Sequence, residues 1–212
     1  KIKYSGIQLQ GCQFRSIDLK NVNFSNSNLL GSEWGDDEFQ DKSSWNHVHF
    51  IECDFRYSSI NKVSLTDCNF SSSNFTNTTF SQLDVDDLTK FYGVNLIYSS
   101  MIFIHLDKIS QFLGSIILKS DLLNWIYEFK DEFDYDIKEY SLEEVKHLGI
   151  VVLYGGKKQY KLCELNIQHK TIIILEHSPH YFLENISISY DDTIQANNDW
   201  KVEIKDLKQL PR

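Results

Sequence analysis

The sequence predicts a narrow coil of short extended segments over residues 1–106, followed by a small α+β region over 107–212. Three observations predict this. Apolar residues recur every five positions from Tyr4 to Leu106, the residue two before each is mostly small or β-branched, and the spacing changes after Leu106. Tyr4, Leu9, Phe14, Leu19, Phe24, Leu29, Trp34 and Phe39 form the first register. After a one-residue slip come Trp45, Phe50, Phe55, Ile60, Leu65, Phe70, Phe75, Phe80 and Val85. After a second slip come Phe91, Leu96, Met101 and Leu106, and all 21 positions are apolar.

A period of five fits neither the 3.6 of a helix nor the 2.0 of a strand. It fits a chain that runs extended for a few residues and then turns, so that the marked side chain always points inward. The residue two before it must share its face. That position holds Ile2, Ile7, Cys12, Ile17 and Val22, then Val48, Cys53, Ser58, Val63, Cys68, Ser73 and Thr78. One large and one small inward residue per repeat fills a narrow interior without voids. The residue between them is mostly polar, as at Gln8, Asn23, Asn28, Asp54, Asn69, Asn74 and Asn95. A β-sandwich rich in Phe and Ser is the competing reading, but a fixed period marks a repeat architecture.

The segments Cys12-Gln-Phe-Arg-Ser, Val22-Asn-Phe-Ser-Asn, Cys53-Asp-Phe-Arg-Tyr, Cys68-Asn-Phe-Ser-Ser and Ser73-Asn-Phe-Thr-Asn resemble the pentapeptide-repeat family. Its pattern is a small residue, Asp or Asn, Leu or Phe, then two variable positions. The resemblance implies a right-handed quadrilateral parallel β-helix with four repeats per coil and about five coils. Phe14, Phe24, Trp34, Phe50, Phe55, Phe70, Phe75 and Phe80 are then the large core residues of the repeats, with Cys12, Cys53 and Cys68 on the small inward position.

The chain has 212 residues and a net charge of −9. Residues 1–106 carry 8 Lys and Arg against 12 Asp and Glu, and the remainder carries 13 against 18. Neither half has the basic footprint of a nucleic-acid binder. No apolar run has the length of a membrane span, and no charged-then-apolar signal segment opens the chain. Three of the four cysteines are explained by the repeat as core thiols, which points to a reducing compartment. Ile2 and Tyr4 already obey the repeat, so this end is expected to meet a partner or further coils.

The slip between Phe39 and Trp45 inserts one residue, with Asp37 on an inward position just before it. It reads as a bulge or a tolerated surface insertion, as does the slip between Val85 and Phe91. From Asp107 the pattern changes. Ile109, Phe112, Leu113, Ile116 and Ile117 follow helical spacing, and a helix over about Ile109–Leu118 is expected to cover the last coil. Ser120 opens a second helix bearing Leu122, Trp125, Ile126, Phe129 and Phe133, with an acidic run after it. Ser141-Leu-Glu-Glu144 is a capping box for a third, ending near Gly149. Ile150 to Tyr154, Gly155-Gly156 and Gln159 to Ile167 read as a hairpin, followed by strands at Thr171, at Ile186–Tyr190 and at Trp200–Ile204.

Few residues carry a chemical signature. Glu176, His177 and His180 form the densest polar cluster, but their spacing matches no metal signature and Pro179 interrupts it. Cys163 alternates with Leu165 and Ile167, as a buried strand residue does. His47 and His49 fall on outward positions with no carboxylate pattern nearby in sequence. No cofactor or metal site is expected.

The expected function is that of a non-catalytic scaffold that binds protein partners. The family resemblance adds two contexts. One is a bacterial effector, delivered to a host cytoplasm, whose β-helix engages host proteins. The other is a mimic of duplex DNA that binds gyrase or another topoisomerase, for which the charge of the array is thin. A minor enzymatic role of the C-terminal half would rest on Cys163 or the two histidines alone.

Overall fold

A computed structural model describes residues 2–35, 42–104, 109–128, 141–152, 160–176 and 201–206. Short parallel strands stack into a right-handed, four-sided solenoid. The pentad residues form one column on each side, and the register is given by the ladder. Phe14 pairs with Trp34, Trp34 with Ile60, Ile60 with Phe80 and Phe80 with Met101 on the third side. Leu19 pairs with Trp45, Trp45 with Leu65 and Leu65 with Val85 on the fourth.

The first side is a stack of rings. Tyr4, Phe24, Phe50, Phe70, Phe91 and Phe112 lie one above another with centroids 5.5, 5.1, 5.3, 5.0 and 5.0 Å apart. Trp34, Trp45, Phe50, Phe55, Phe70, Phe75 and Phe80 are all fully buried, whereas Phe14 in the first coil is half-buried.

Two of the other pentad positions have a hydrogen-bonding task. The small inward hydroxyls tie one coil to the next: Ser58 Oγ donates to the Leu29 carbonyl, Ser73 Oγ to Phe50 and Thr78 Oγ1 to Phe55, at 2.8, 2.5 and 2.6 Å. The Asn or Asp beside the central residue folds its oxygen onto the backbone N–H two residues on. Asn69 accepts from Ser71 at 3.0 Å and Asn74 from Thr76 at 3.1 Å. This local bond is an Asx turn, and it turns the corner of the coil.

The spacing slips have different sizes in space. Leu19 pairs with Trp45, twenty-six residues on, where an ordinary coil takes twenty, as from Ile60 to Phe80. The first slip is therefore a six-residue insertion, not the one-residue bulge expected. Phe39 and Asp37 lie outside the described residues. The second slip adds one residue, and Asp86 organises it. Its carboxylate accepts the N–H of Asp67 and both the N–H and the hydroxyl of Thr89.

The helix expected over Ile109–Leu118 is not formed. Ile109–Phe112 is a single 3-10 turn and Ile116–Ile117 is a strand. The solenoid simply continues. Leu96 N–H donates to the Ile116 carbonyl at 2.8 Å, and Ile116 N–H to Val94 at 3.0 Å. Phe112 and Ile117 are pentad residues, with Ser115 and Ser120 on the small position. The helical spacing was a coincidence, because the two patterns share Phe112 and Ile117. Burial separates the readings. Phe112 and Ile117 enter the solenoid core, while Ile116 and Leu118, on the other side of the backbone, are buried against Val151, Cys163, Ile172 and Ile174. A surface helix buries one face; here both sides of an extended segment are covered.

The Ile116–Ile117 strand belongs to two structures at once. It pairs in parallel with Asn95 of the preceding coil and antiparallel with Ile150–Val152. From there a five-stranded sheet continues through Tyr160–Asn166 and Thr171–Glu176 to Lys201–Asp206. The last strand runs parallel to its neighbour, so the sheet is antiparallel except at that edge. Two helices cover it, Leu122–Glu128 and Leu142–Leu148. The second has the expected capping box: Glu144 N–H donates to Ser141 Oγ at 3.3 Å, and Ser141 N–H to Glu144 Oε2 at 2.7 Å. Among the described residues no helix is long and apolar enough to cross a membrane.

Candidate interaction surface

The corners of the solenoid decide what its surface presents. Two residues after most central residues the backbone takes positive φ, at Asn21, Asn26, Asp67, Ser72, Asn77 and on to Gly114 and Lys119. Gly and Asn tolerate this region, whereas a larger side chain costs roughly 1–2 kcal/mol there. Three corners nevertheless carry an aromatic residue. Tyr57 (φ 59), Tyr98 (φ 58) and Phe103 (φ 55) adopt the left-handed conformation, and they are 64, 42 and 82% exposed. Rings so placed add nothing to the core and strain the backbone. The same backbone is found at Glu52, Lys62 and Gln82, so it is the exposed rings that set these three corners apart.

All three border the third side. Residues 57–62, 77–82 and 98–103 cross it in successive coils. Its outward columns are Ser59, Thr79 and Ser100, then Asn61, Ser81 and Ile102. Within these segments Lys62 is the one charged residue; Glu33 adjoins Ser59 in the coil below, and Lys119 lies over the Tyr98 ring from the coil above. Ser81 Oγ donates to Asn61 Oδ1 at 2.5 Å, and Ser100 Oγ to Asp121 Oδ2 at 2.7 Å in the coil above. Arg56 is turned away from the panel, its guanidinium held on Asp54 at 2.8 and 2.6 Å. Tyr57 and Tyr98 stand on one edge. Ile102, 44% exposed, and Phe103 stand on the other.

The cysteines point inward. Cys53 Sγ donates to the Phe24 carbonyl at 3.2 Å and Cys68 Sγ to Trp45 at 3.4 Å, both buried, while Cys12 is half-buried. Burial pushes the Cys53 thiol up to about 12 and the Cys68 thiol up to about 11. Cys163 is fully buried in the C-terminal sheet, and burial pushes its thiol up as well. These groups stay protonated at neutral pH and are poor nucleophiles. Cys53 and Cys68 are therefore expected to resist a thiol reagent in the native protein at pH 8, with Cys12 reacting first. Equal labelling of all three would contradict this placement. The same shifts predict alkaline weakening. The folded state holds these protons above the ordinary thiol range and the unfolded state releases them. The contribution is complete below about pH 8.5 and is lost as pH rises toward 11.

His47 has a carboxylate neighbour that sequence order conceals. Its Nε2 lies 3.2 Å from Asp67 Oδ2 in the next coil, and its Nδ1 meets Asn46 Oδ1. His177 and His180 lie outside the described residues. Among those described, no group of three or more His, Cys, Asp or Glu is placed to hold a metal ion.

Comparison with known proteins agrees with the fold. Residues 5–33, 42–71 and 49–84 match the pentapeptide repeats, in eight copies. Within the solenoid, residues 5–33 and 42–84 are pentapeptide repeats. A trypsin-treated form of QnrB1, a plasmid-mediated fluoroquinolone resistance protein, is 13% identical with a TM-score of 0.41, over 56% of this chain and 59% of that one. The matched region thus spans about 59% of QnrB1's length in that form. A pentapeptide repeat protein from the cyanobacterium Cyanothece 51142 is 15% identical with a TM-score of 0.32, over 50% of this chain and 88% of that one. No curated protein matches the sequence.

Proposed function

We propose that this chain is a non-catalytic protein-interaction scaffold whose recognition surface is the third side of the solenoid, anchored at Phe103 and Ile102. The observation that carries the reading is Phe103, an aromatic ring 82% exposed on a left-handed backbone. Large exposed aromatic side chains on a rigid support are the usual anchors of protein interfaces. The support here is the ladder itself, since the Phe103 corner follows directly from Ser100–Ile102, paired with Thr79–Ser81. Glu33 beside Ser59 and Asp121 beside Ser100 are isolated carboxylates interspersed with Lys62 and Lys119, which argues against imitation of duplex DNA on this side, since that would need continuous negative potential.

Phe103→Asp is the test. With the intact protein as bait, capture of a specific partner is expected to fall at least about tenfold, the usual weight of an aromatic anchor. The melting temperature should hold or rise, because Asp suits the left-handed backbone better. Unchanged capture would overturn the reading. The finer form, an effector that engages host proteins, predicts capture from eukaryotic and not from bacterial lysate.

A further inference from the structure

The two corners of the third side are close to symmetric along the solenoid. At one corner Gly31, Tyr57, Asn77, Tyr98 and Lys119 follow in successive coils. Gly31, Tyr57, Asn77 and Tyr98 N–H donate upward to Arg56, Thr76, Ile97 and Leu118 at 2.9, 3.1, 3.0 and 2.8 Å. At the other corner Lys62, Gln82 and Phe103 follow in the same way, as Lys62 N–H donates to Ser81 and Gln82 N–H to Ile102 at 3.0 and 2.9 Å. Asn77 and Gln82 are the two ends of one rung. A two-fold axis along that rung exchanges Tyr57 with Tyr98, Lys62 with Phe103 and Gly31 with Lys119. It sets two copies of the panel against each other with their solenoids antiparallel.

Each exchange brings together groups that attract. Tyr57 of one copy meets Tyr98 of the other, and the pair occurs twice. Lys62 meets the exposed Phe103 ring, a cation on an aromatic face. Lys119 enters the space over Gly31, where nothing lies within 4 Å of a Cβ built there, and Glu33 stands exposed two residues further along that rung. Asp121 shares the rung of Lys119, but its carboxylate is already engaged by Ser100 Oγ and the Met101 N–H at 2.7 and 3.1 Å. On the axis itself the hydroxyls of Thr79 and Ser81 face their own copies. An axis along the solenoid would instead set each corner against the opposite one, and Lys119 would never meet Glu33.

We propose that the occupant of the third side is a second copy of this chain, docked antiparallel about a two-fold axis through the Asn77–Gln82 rung. The inference rests on the third side being a protein-binding surface and names its partner. The contact is isologous, so every favourable pair is made twice. The panel is a single face of a narrow rod, which places the contact at the small end of interface sizes and makes the dimer reversible.

The test is sedimentation velocity on the whole protein over a dilution series, with cysteine trapping to fix the axis. A monomer–dimer equilibrium is expected. Glu33→Lys and Lys119→Glu should each weaken it about tenfold, and the two together should restore it. Under mild oxidation Asn77→Cys and Gln82→Cys should each form a disulfide-linked dimer with itself, while the parent protein should not. Cross-linking only in a mixture of the two variants would mean an axis along the solenoid and would overturn the proposal. Failure of the double charge reversal to restore a dimer weakened by the single ones would do the same. A protein that stays monomeric at millimolar concentration, yet captures a different protein through Phe103, would overturn the second copy as occupant and leave the protein-binding reading standing.

Discussion

Phe70→Ala is expected to lower stability by about 3–5 kcal/mol, the range for an aromatic ring removed from a closed core. Phe70 is fully buried, 5.3 Å from the Phe50 ring below it and 5.0 Å from Phe91 above. It also touches Phe55 and Phe75 on the neighbouring side, at 6.4 and 5.9 Å. The coils above and below are fixed by their own ladders, so the backbone cannot collapse into the vacated space. Unlike a helix, a solenoid coil has no freedom to rotate or slide without breaking four sides of hydrogen bonds. The corner two residues on is the control. Ser72→Ala removes no buried group and should cost under about 0.5 kcal/mol. Denaturant melts of both variants check this, and similar losses would refute the inward and outward assignment.

Gly35→Ala should be comparably severe, at least about 3 kcal/mol, since it combines backbone strain with a direct clash. Gly35 has φ +90, and a Cβ built there would run into the carbonyl oxygen and carbon of Asn61. The obstacle is backbone, paired with Gly35 in the third-side ladder, and it cannot swing aside as a side chain would. The chain leaves the ladder here, before the six-residue insertion. The Glu33–Gly35 strand, the rung beneath the aromatic panel, would have to separate from Ser59–Asn61. A melting curve unchanged from the parent would show that the insertion is entered by another backbone route.

The sequence made the solenoid legible because its core rule is local. Each pentad repeats one large and one small inward residue, and the recurrence of that pair along the array leaves no other period in competition. The junction was illegible for a related reason. Ile109, Phe112, Leu113, Ile116 and Ile117 satisfy a helix as well as two further pentads, and apolarity alone cannot separate them. Gly114 could have, because it stands two residues after Phe112, at the left-handed corner, and a helix interior disfavours Gly. The Ser120-Asp121-Leu122 triplet was a second missed signal. It reads as a helix cap, yet it is also a small residue, an Asp and a Leu in pentad order, and Asp121 accepts the Met101 N–H at 3.1 Å.

The candidate surface was hidden differently. In the repeat rule the two positions after the central residue are variable, so Tyr57, Tyr98 and Phe103 passed as surface residues. What distinguishes them is an exposed aromatic ring at corners that border one side, and that shared side emerges only from the ladder register. The nearness of His47 to Asp67 was hidden too, because residues twenty apart in sequence become neighbours only once the coil length is known.

The account rests on a ladder that does not stop at Leu106 but passes through Phe112 and Ile117 into the C-terminal sheet. Native-state amide hydrogen exchange tests it most directly. Leu96, Tyr98, Ile116 and Val152 donate to Ile116, Leu118, Val94 and Ser115 at 2.8, 2.8, 3.0 and 3.1 Å. These four amides should be protected to the same degree as Phe75 in the middle of the solenoid, and should open with it as one unit. Fast exchange at Ile116 and Val152 while Phe75 stays protected would mean that the stack ends before the junction and the two halves are separate modules.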